Sequence, residues 1–348
     1  MPRKNYSLDI WGNNGANWDL PVIKVSDGLN PFSSHGVEMF VALGYHLPFE
    51  TLKFLAVFGM LRDAKKSGIF QAGDSLVEAT SGATGLVLAK LALAEPFNAS
   101  RVIAIMKEDA PLGKSKPPFF AGAEVWPPQK GLSPIATARK LGGGGWKSDG
   151  WKKSDDGFLN LDQYANPANK VLYRDWCVSK ILEKVPNPNI LVAPIGTGGT
   201  IIGLNEGFRR RLENFRSVGV MCVSGNEIPG MRDIEGMKEI AQPWREAVDE
   251  CVEVKTKSAY LSALWLNWVM GVTSGASGGA TLAGAYHLLN RHDREDTLDL
   301  LRNPKDGKIR IVIIIHDGWR PYLIDRFPTF LSLEDQQYES AHFPWETL

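Results

Sequence analysis

The chain has 348 residues, more than a single hydrophobic core usually serves, so two domains or lobes are expected. Lys plus Arg and Asp plus Glu number 39 each, which excludes a global field for nucleic acid or an anionic membrane and leaves any anion site to local chemistry. The balance of 44% apolar and 22% charged residues is that of a soluble globular protein, and three cysteines (Cys177, Cys222, Cys251), none in a Cys-x-x-Cys pair, argue against a disulfide framework or a zinc site.

The N-terminal stretch "MPRKNYSLDIWGNNG" has no signal-peptide core, so a cytosolic protein is expected. In "LPFETLKFLAVFGML" (47–61) no charge follows Lys53 until Arg62. Such a run belongs in an interior, so Lys53 either snorkels to water or holds a neutral, reactive amine. "SLVEAT" (75–80) predicts a strand and "GLVLAKLALAE" (85–95) a helix. "RVIAIMK" (101–107) and "EVWP" (124–127) read as strands, followed by helical "PIATARKLG" (134–142). "GGGGWKSDGWKKSDDG" (142–157) has no periodicity and reads as a break, a mobile surface loop or insertion. "NILVAPI" (189–195) is a buried strand, "IIGLNEGFRRRLENF" (201–215) a helix and "VGVMCVS" (218–224) a strand. "SAYLSALWLNWVM" (258–270) and "GGATLAGAYHLLNR" (278–291) predict helices, and "IRIVIIIH" (309–316) a very apolar strand. Apolar strands alternating with helices imply an α/β fold with a mainly parallel sheet. The longest apolar runs fall well short of the ~20 residues a membrane span needs.

Three loops share one chemistry: "TSGATG" (80–85), "GTGGT" (196–200) and "TSGAS" (273–277). Each precedes a helix, where unpaired backbone N–H groups and the helix dipole favour anions, and each adds hydroxyl donors. Other motifs fail. "GTGGTI" lacks the third glycine of a dinucleotide fingerprint, "GKS" at 113–115 lacks the upstream glycine of a Walker loop, and "GASGG" (275–279) does not resemble a nucleophile elbow. The six histidines show no metal-ligand spacing, and most read as spectators.

Together the loops and the lysine resemble the cysteine synthase/cystathionine β-synthase-like enzymes, the fold type II group dependent on pyridoxal 5′-phosphate (PLP). That family carries an Asn-Pro-x-x-Ser-Val-Lys stretch, then Thr-Ser-Gly-Asn-Thr, then Gly-Thr-Gly-Gly-Thr, then Ser-Ser-Gly-Ala. "NPFSSHG" (30–36) begins like the first stretch but puts Gly36 where the lysine belongs. Lys53 lies 27 residues before Thr80, the family's spacing, with "MFVALGY" (39–45) as the strand before it. "LNLDQYANPANKVLYRDW" (159–176) and "DGWRPYL" (317–323) are similar to further family segments, so the likeness covers most of the chain.

The resemblance implies two lobes, each a mainly parallel sheet covered by helices: a larger, cofactor-phosphate-binding domain at 1–47 and 160–348 and a smaller, substrate-binding domain at 48–159. It implies that Lys53 is the Schiff-base lysine and the general base and acid. Gly196, Thr197, Gly198, Gly199 and Thr200 would cradle the PLP phosphate, and Thr273 would face the pyridine nitrogen. Thr80, Ser81, Gly82 and Thr84 would hold the substrate α-carboxylate, assisted by Gln163. Ala83 stands where the family has an asparagine that contacts the PLP 3′-oxygen, and Phe54 and Leu55 replace a polar pair after the lysine. These departures imply a more apolar pocket and a shifted substrate. The implied activity is β-elimination or β-replacement on an amino acid through an aminoacrylate, by a cytoplasmic homodimer. The alternatives are γ-replacement, a deaminase or lyase, and a non-catalytic homologue that binds PLP or an amino acid. No metal, nucleic acid or membrane partner is implied.

Overall fold

The structure is a computed structural model and describes residues 18–147, 150–323 and 326–331. In chain order its elements are β1 (Val22–Lys24), β2 (Val37–Leu43), α1 (Lys53–Lys66), β3 (Ser75–Ala79), α2 (Ala83–Ala92), β4 (Arg101–Ile105), α3 (Leu112–Phe120), β5 (Glu124–Trp126), α4 (Pro134–Leu141) and β6 (Phe158–Asn160). There follow α5 (Val178–Leu182), β7 (Ile190–Pro194), α6 (Gly199–Arg209), β8 (Arg216–Cys222), β9 (Glu250–Val254), α7 (Thr256–Met270), α8 (Ala276–Arg294), β10 (Ile309–Ile315) and α9 (Phe327–Phe330).

The chain forms two compact units. The smaller takes in Trp18 and Lys53–Leu172, and its four-stranded sheet runs β5-β4-β3-β6, all parallel. The larger comprises Asp19–Leu52 and the described residues from Tyr173 to Leu331, with a six-stranded sheet in the order β1-β2-β10-β7-β8-β9. Only β1 is antiparallel there. Every residue of β7 and β10 is buried, as parallel strands covered on both faces require. Helices α6 and α8 pack on the larger sheet, and α2 and α4 on the smaller.

The units divide at Leu52/Lys53 and Leu172/Tyr173, not at the expected 47/48 and 159/160. Hydrogen bonding explains the shift. Leu52 N donates to His316 O at 2.7 Å and Thr51 bridges Asp317, which ties 48–52 to the end of β10. Residues 160–172 stay with the smaller sheet because β6 pairs with β3 and Gln163 Nε2 donates to Ala79 O at 2.7 Å.

The segment 142–157 lies within the smaller unit, inside the expected 48–159. Arg139 grips buried Asp162 through Nε at 2.8 Å and Nη2 at 3.1 Å, Trp146 N donates to the same carboxylate at 3.2 Å, and Lys153 pairs with Asp74 at 2.6 Å. Two helices also depart from expectation. α6 stops at Arg209, before Asn214 turns left-handed at φ 54°, and α3 forms despite Pro117 and Pro118. Those prolines still supply carbonyls, since Ala121 N donates to Pro117 O at 2.9 Å.

Candidate functional site

In the smaller unit, Lys53 is the first residue of α1 and is partly buried. The helix behind it is apolar for a physical reason: Phe54, Leu55, Ala56 and Val57 are all fully buried. Phe54 meets the Trp18 ring edge-on at 4.6 Å and stacks on Phe58 at 5.5 Å. Phe54 is therefore part of an aromatic core cluster in this unit, which explains the apolar residue without appeal to a ligand.

The 80–85 loop leaves the carboxyl end of β3 and enters α2. Thr80 Oγ1 accepts from Gly82 N at 2.9 Å and Gly85 N at 3.2 Å, so those two amides are used in shaping the loop. Gly82 has φ 138°, and a Cβ there would lie 2.7 Å from Lys114 O, so only glycine fits. Ser81 is exposed, whereas Thr80 and Thr84 are buried, and Ala83 opens α2 half-buried. Thr84 Oγ1 donates to Gln163 Oε1 at 2.9 Å. Gln163 is in turn fixed by its bond to Ala79 O and by Asn169 Nδ2, which donates to Gln163 O at 2.6 Å. Thr80 and Gly82 thus share one set of buried bonds and Thr84 and Gln163 another, with Ser81 exposed between them.

In the larger unit, the 196–200 turn follows β7 and opens α6, with Gly198 at φ 84° as N-cap. A Cβ on Gly196 would lie 2.3 Å from Gly230 O. The turn therefore excludes side chains at Gly196 and Gly198 and carries two hydroxyl groups, those of buried Thr197 and Thr200. Backbone amides of a helix first turn plus two hydroxyls form a donor set that suits a phosphate.

The neighbouring loops are built around the end of β10. Gly275 N donates to Asp317 O at 3.0 Å, and Tyr322 OH donates to Asp317 Oδ2 at 2.8 Å. A Cβ on Gly275 would meet Asp317 Oδ1 at 2.7 Å, so the "TSGAS" loop is seated directly on the 317–322 turn. Thr273 is exposed at the start of that loop, and Ser274 is buried with its hydroxyl bound to Gly275 O at 2.9 Å.

One residue here escaped sequence reasoning. His316 Nε2 lies 3.1 Å from Thr200 Oγ1, so a histidine read as a spectator touches the 196–200 turn. The available signal was its place, a polar side chain at the carboxyl end of the most apolar strand, where parallel sheets carry their ligand crevices. The same residue's carbonyl accepts from Leu52 N, and Leu52 O accepts from Tyr173 OH at 3.0 Å. The residue preceding Lys53 is thereby clamped from both sides.

The chain is similar to known proteins. A family model described as pyridoxal-phosphate dependent enzyme matches residues 21–299. The chain is 28% identical over 276 residues to cysteine synthase B of Campylobacter jejuni, covering 77% of this chain and 89% of that one. It is 27% identical over 324 residues to cystathionine beta-synthase of Apis mellifera, covering 87% of this chain but 58% of that longer protein. Among solved structures, O-ureido-L-serine synthase superposes with a TM-score of 0.72 at 20% identity, covering 90% of this chain and 93% of that one. Cysteine synthase of Entamoeba histolytica gives 0.71 at 23% identity, covering 95% and 94%. At such identities the two structures speak for the fold alone.

Proposed function

Because the chain belongs to the pyridoxal-phosphate dependent enzymes, we propose that it catalyses β-elimination or β-replacement on an amino acid bearing a leaving group at Cβ. The reading draws on the cysteine synthases and cystathionine beta-synthases among its relatives. The observation that carries it is the clamp on Leu52, which ties the backbone before Lys53 to the strand end whose side chain reaches Thr200.

PLP, when bound, supplies an electron sink for the α-carbon of an amino acid. The glycine-lined 196–200 turn fits its phosphate, with backbone amides and the Thr197 and Thr200 hydroxyls as donors. Lys53 would hold the cofactor's aldehyde carbon through its amine. The same amine would serve as base and acid for the substrate α-proton. Thr273 would offer the ring nitrogen a hydroxyl, which would moderate the sink and favour chemistry at Cβ over deeper carbanion chemistry. Ser81 and the proton of Thr80 receive the α-carboxylate, while the Thr84–Gln163 bond keeps that loop in shape. Ala83 brings no amide to the cofactor's 3′-oxygen, which fits a substrate or nucleophile other than the common ones. A homodimer completes the proposal.

The purified protein should absorb near ~410–420 nm, the range expected of lysine-bound PLP, and Lys53→Ala should abolish the band. O-acetylserine should then release acetate in the wild type and not in the variant. A colourless protein that takes up no added PLP would overturn the reading. Turnover of γ-substituted amino acids alone would move the reaction to Cγ. Light scattering tests the dimer, and a monomer at working concentration would remove that part.

A further inference from the structure

His316 stands where β10 ends, beside the strand that delivers the 196–200 turn. Its ring nitrogen Nε2 is 3.1 Å from Thr200 Oγ1. Thr200 is the second residue of α6 and is buried. A threonine hydroxyl has one proton to donate and two lone pairs to accept with. If it gave that proton to the histidine, it would have none for an anion. If the histidine donates to it, the hydroxyl proton is turned away from the ring and is available to a phosphate oxygen. A Thr200 that serves an anion therefore requires Nε2 to carry a proton, as the Nε2–H tautomer or the imidazolium does.

We propose that His316 is a positioning residue of the phosphate cradle, donating from Nε2 to Thr200 Oγ1 and so aiming the threonine's own proton at the cofactor phosphate. This rests on the PLP reading above and adds to it a residue outside the glycine-threonine turn. His316 also accepts from Leu52 N through its backbone carbonyl at 2.7 Å. One residue at the end of β10 thus orders both a phosphate donor and the peptide that leads into Lys53. Carbonyl and side chain act separately, so substitution of the ring tests the first role and leaves the second.

The test is titration of the cofactor-free protein with PLP and, separately, with pyridoxal, which lacks the phosphate. His316→Phe keeps a ring and removes the donor. It should weaken PLP about tenfold, the scale of one charge-assisted hydrogen bond, and leave pyridoxal affinity within about twofold. His316→Gln, which can place an amide nitrogen near the Nε2 position, should recover most of the loss. In a double-mutant cycle His316→Phe/Thr200→Val should be no weaker than Thr200→Val alone. Should the phenylalanine variant not fold, His316→Asn, whose amide stops short of Oγ1, gives the same comparison. Unchanged PLP affinity, equal losses for PLP and pyridoxal, or additive losses in the cycle would each overturn the proposal. Wild-type protein that binds no PLP would instead overturn the reading on which it rests.

Discussion

Glu78 is the residue where burial and chemistry conflict most sharply. It is wholly buried at the penultimate position of β3, and its carboxyl is pushed well above the usual range, first by burial and then by the nearby Asp162. Its Oε1 accepts from Gln163 N at 3.5 Å, while Oε2 has no hydrogen-bond partner among the described residues. A carboxyl whose folded pKa is raised leaves stability untouched below the unfolded value of about 4.5, where both states are protonated. As pH rises above that value the unfolded chain releases its proton and the folded one keeps it, so stability falls until the raised folded pKa is passed. Glu78→Gln keeps an acceptor for Gln163 N and removes this proton uptake. The variant should gain stability relative to wild type as pH rises from 5 to 8. Urea midpoints across that window check it, and a constant difference would show that Glu78 is ionised in the fold. The loops themselves were legible at this scale because a glycine-hydroxyl turn is contiguous in sequence. The hydroxyls' partners were not: Thr84 and Gln163 are 79 positions apart, and only the pairing of β6 with β3 brings them together.

Between elements, α7 and α8 pack backbone to backbone at Gly279. A Cβ on Gly279 would lie 2.0 Å from Ala259 O and 2.5 Å from Ala263 N, both backbone atoms that cannot swing aside. Gly279→Ala should force the helices apart and cost about 1–3 kcal/mol, despite alanine's higher helix propensity. Urea unfolding measures this, and a stabilised variant would mean the crossing is looser than described. Both helices were legible from their apolar periodicity, but the need for glycine at their crossing was not. β10 was legible as a strand for the opposite reason, since six of its seven buried residues are aliphatic. In the segment 142–157 the glycines and charges gave no hint of its anchor, buried Asp162, which lies outside the segment. α3 went unread because its two prolines argue against a helix until their position near its end is known.

For the whole molecule, the family assignment gives a thermodynamic expectation. A cofactor that binds only the folded state stabilises it by mass action, by about 2.7 kcal/mol at a free concentration 100 times Kd. Adding PLP to cofactor-free protein should raise Tm in a concentration-dependent way, and pyridoxal at equal concentration should raise it less because the 196–200 turn has nothing to hold. Differential scanning fluorimetry checks this, and equal shifts would remove the phosphate cradle from the account.

Sequence alone determined the α/β class, the three anion-suited loops and the lysine at a fixed distance before the first of them. These are local patterns, set by periodicity, glycine and hydroxyls within a few residues. The tertiary structure decided where the units divide, which loop hydroxyls are already engaged, and that His316 meets Thr200. Those outcomes depend on strand order, because β10 returns from the end of the chain to lie between β2 and β7, and no local pattern encodes that neighbour.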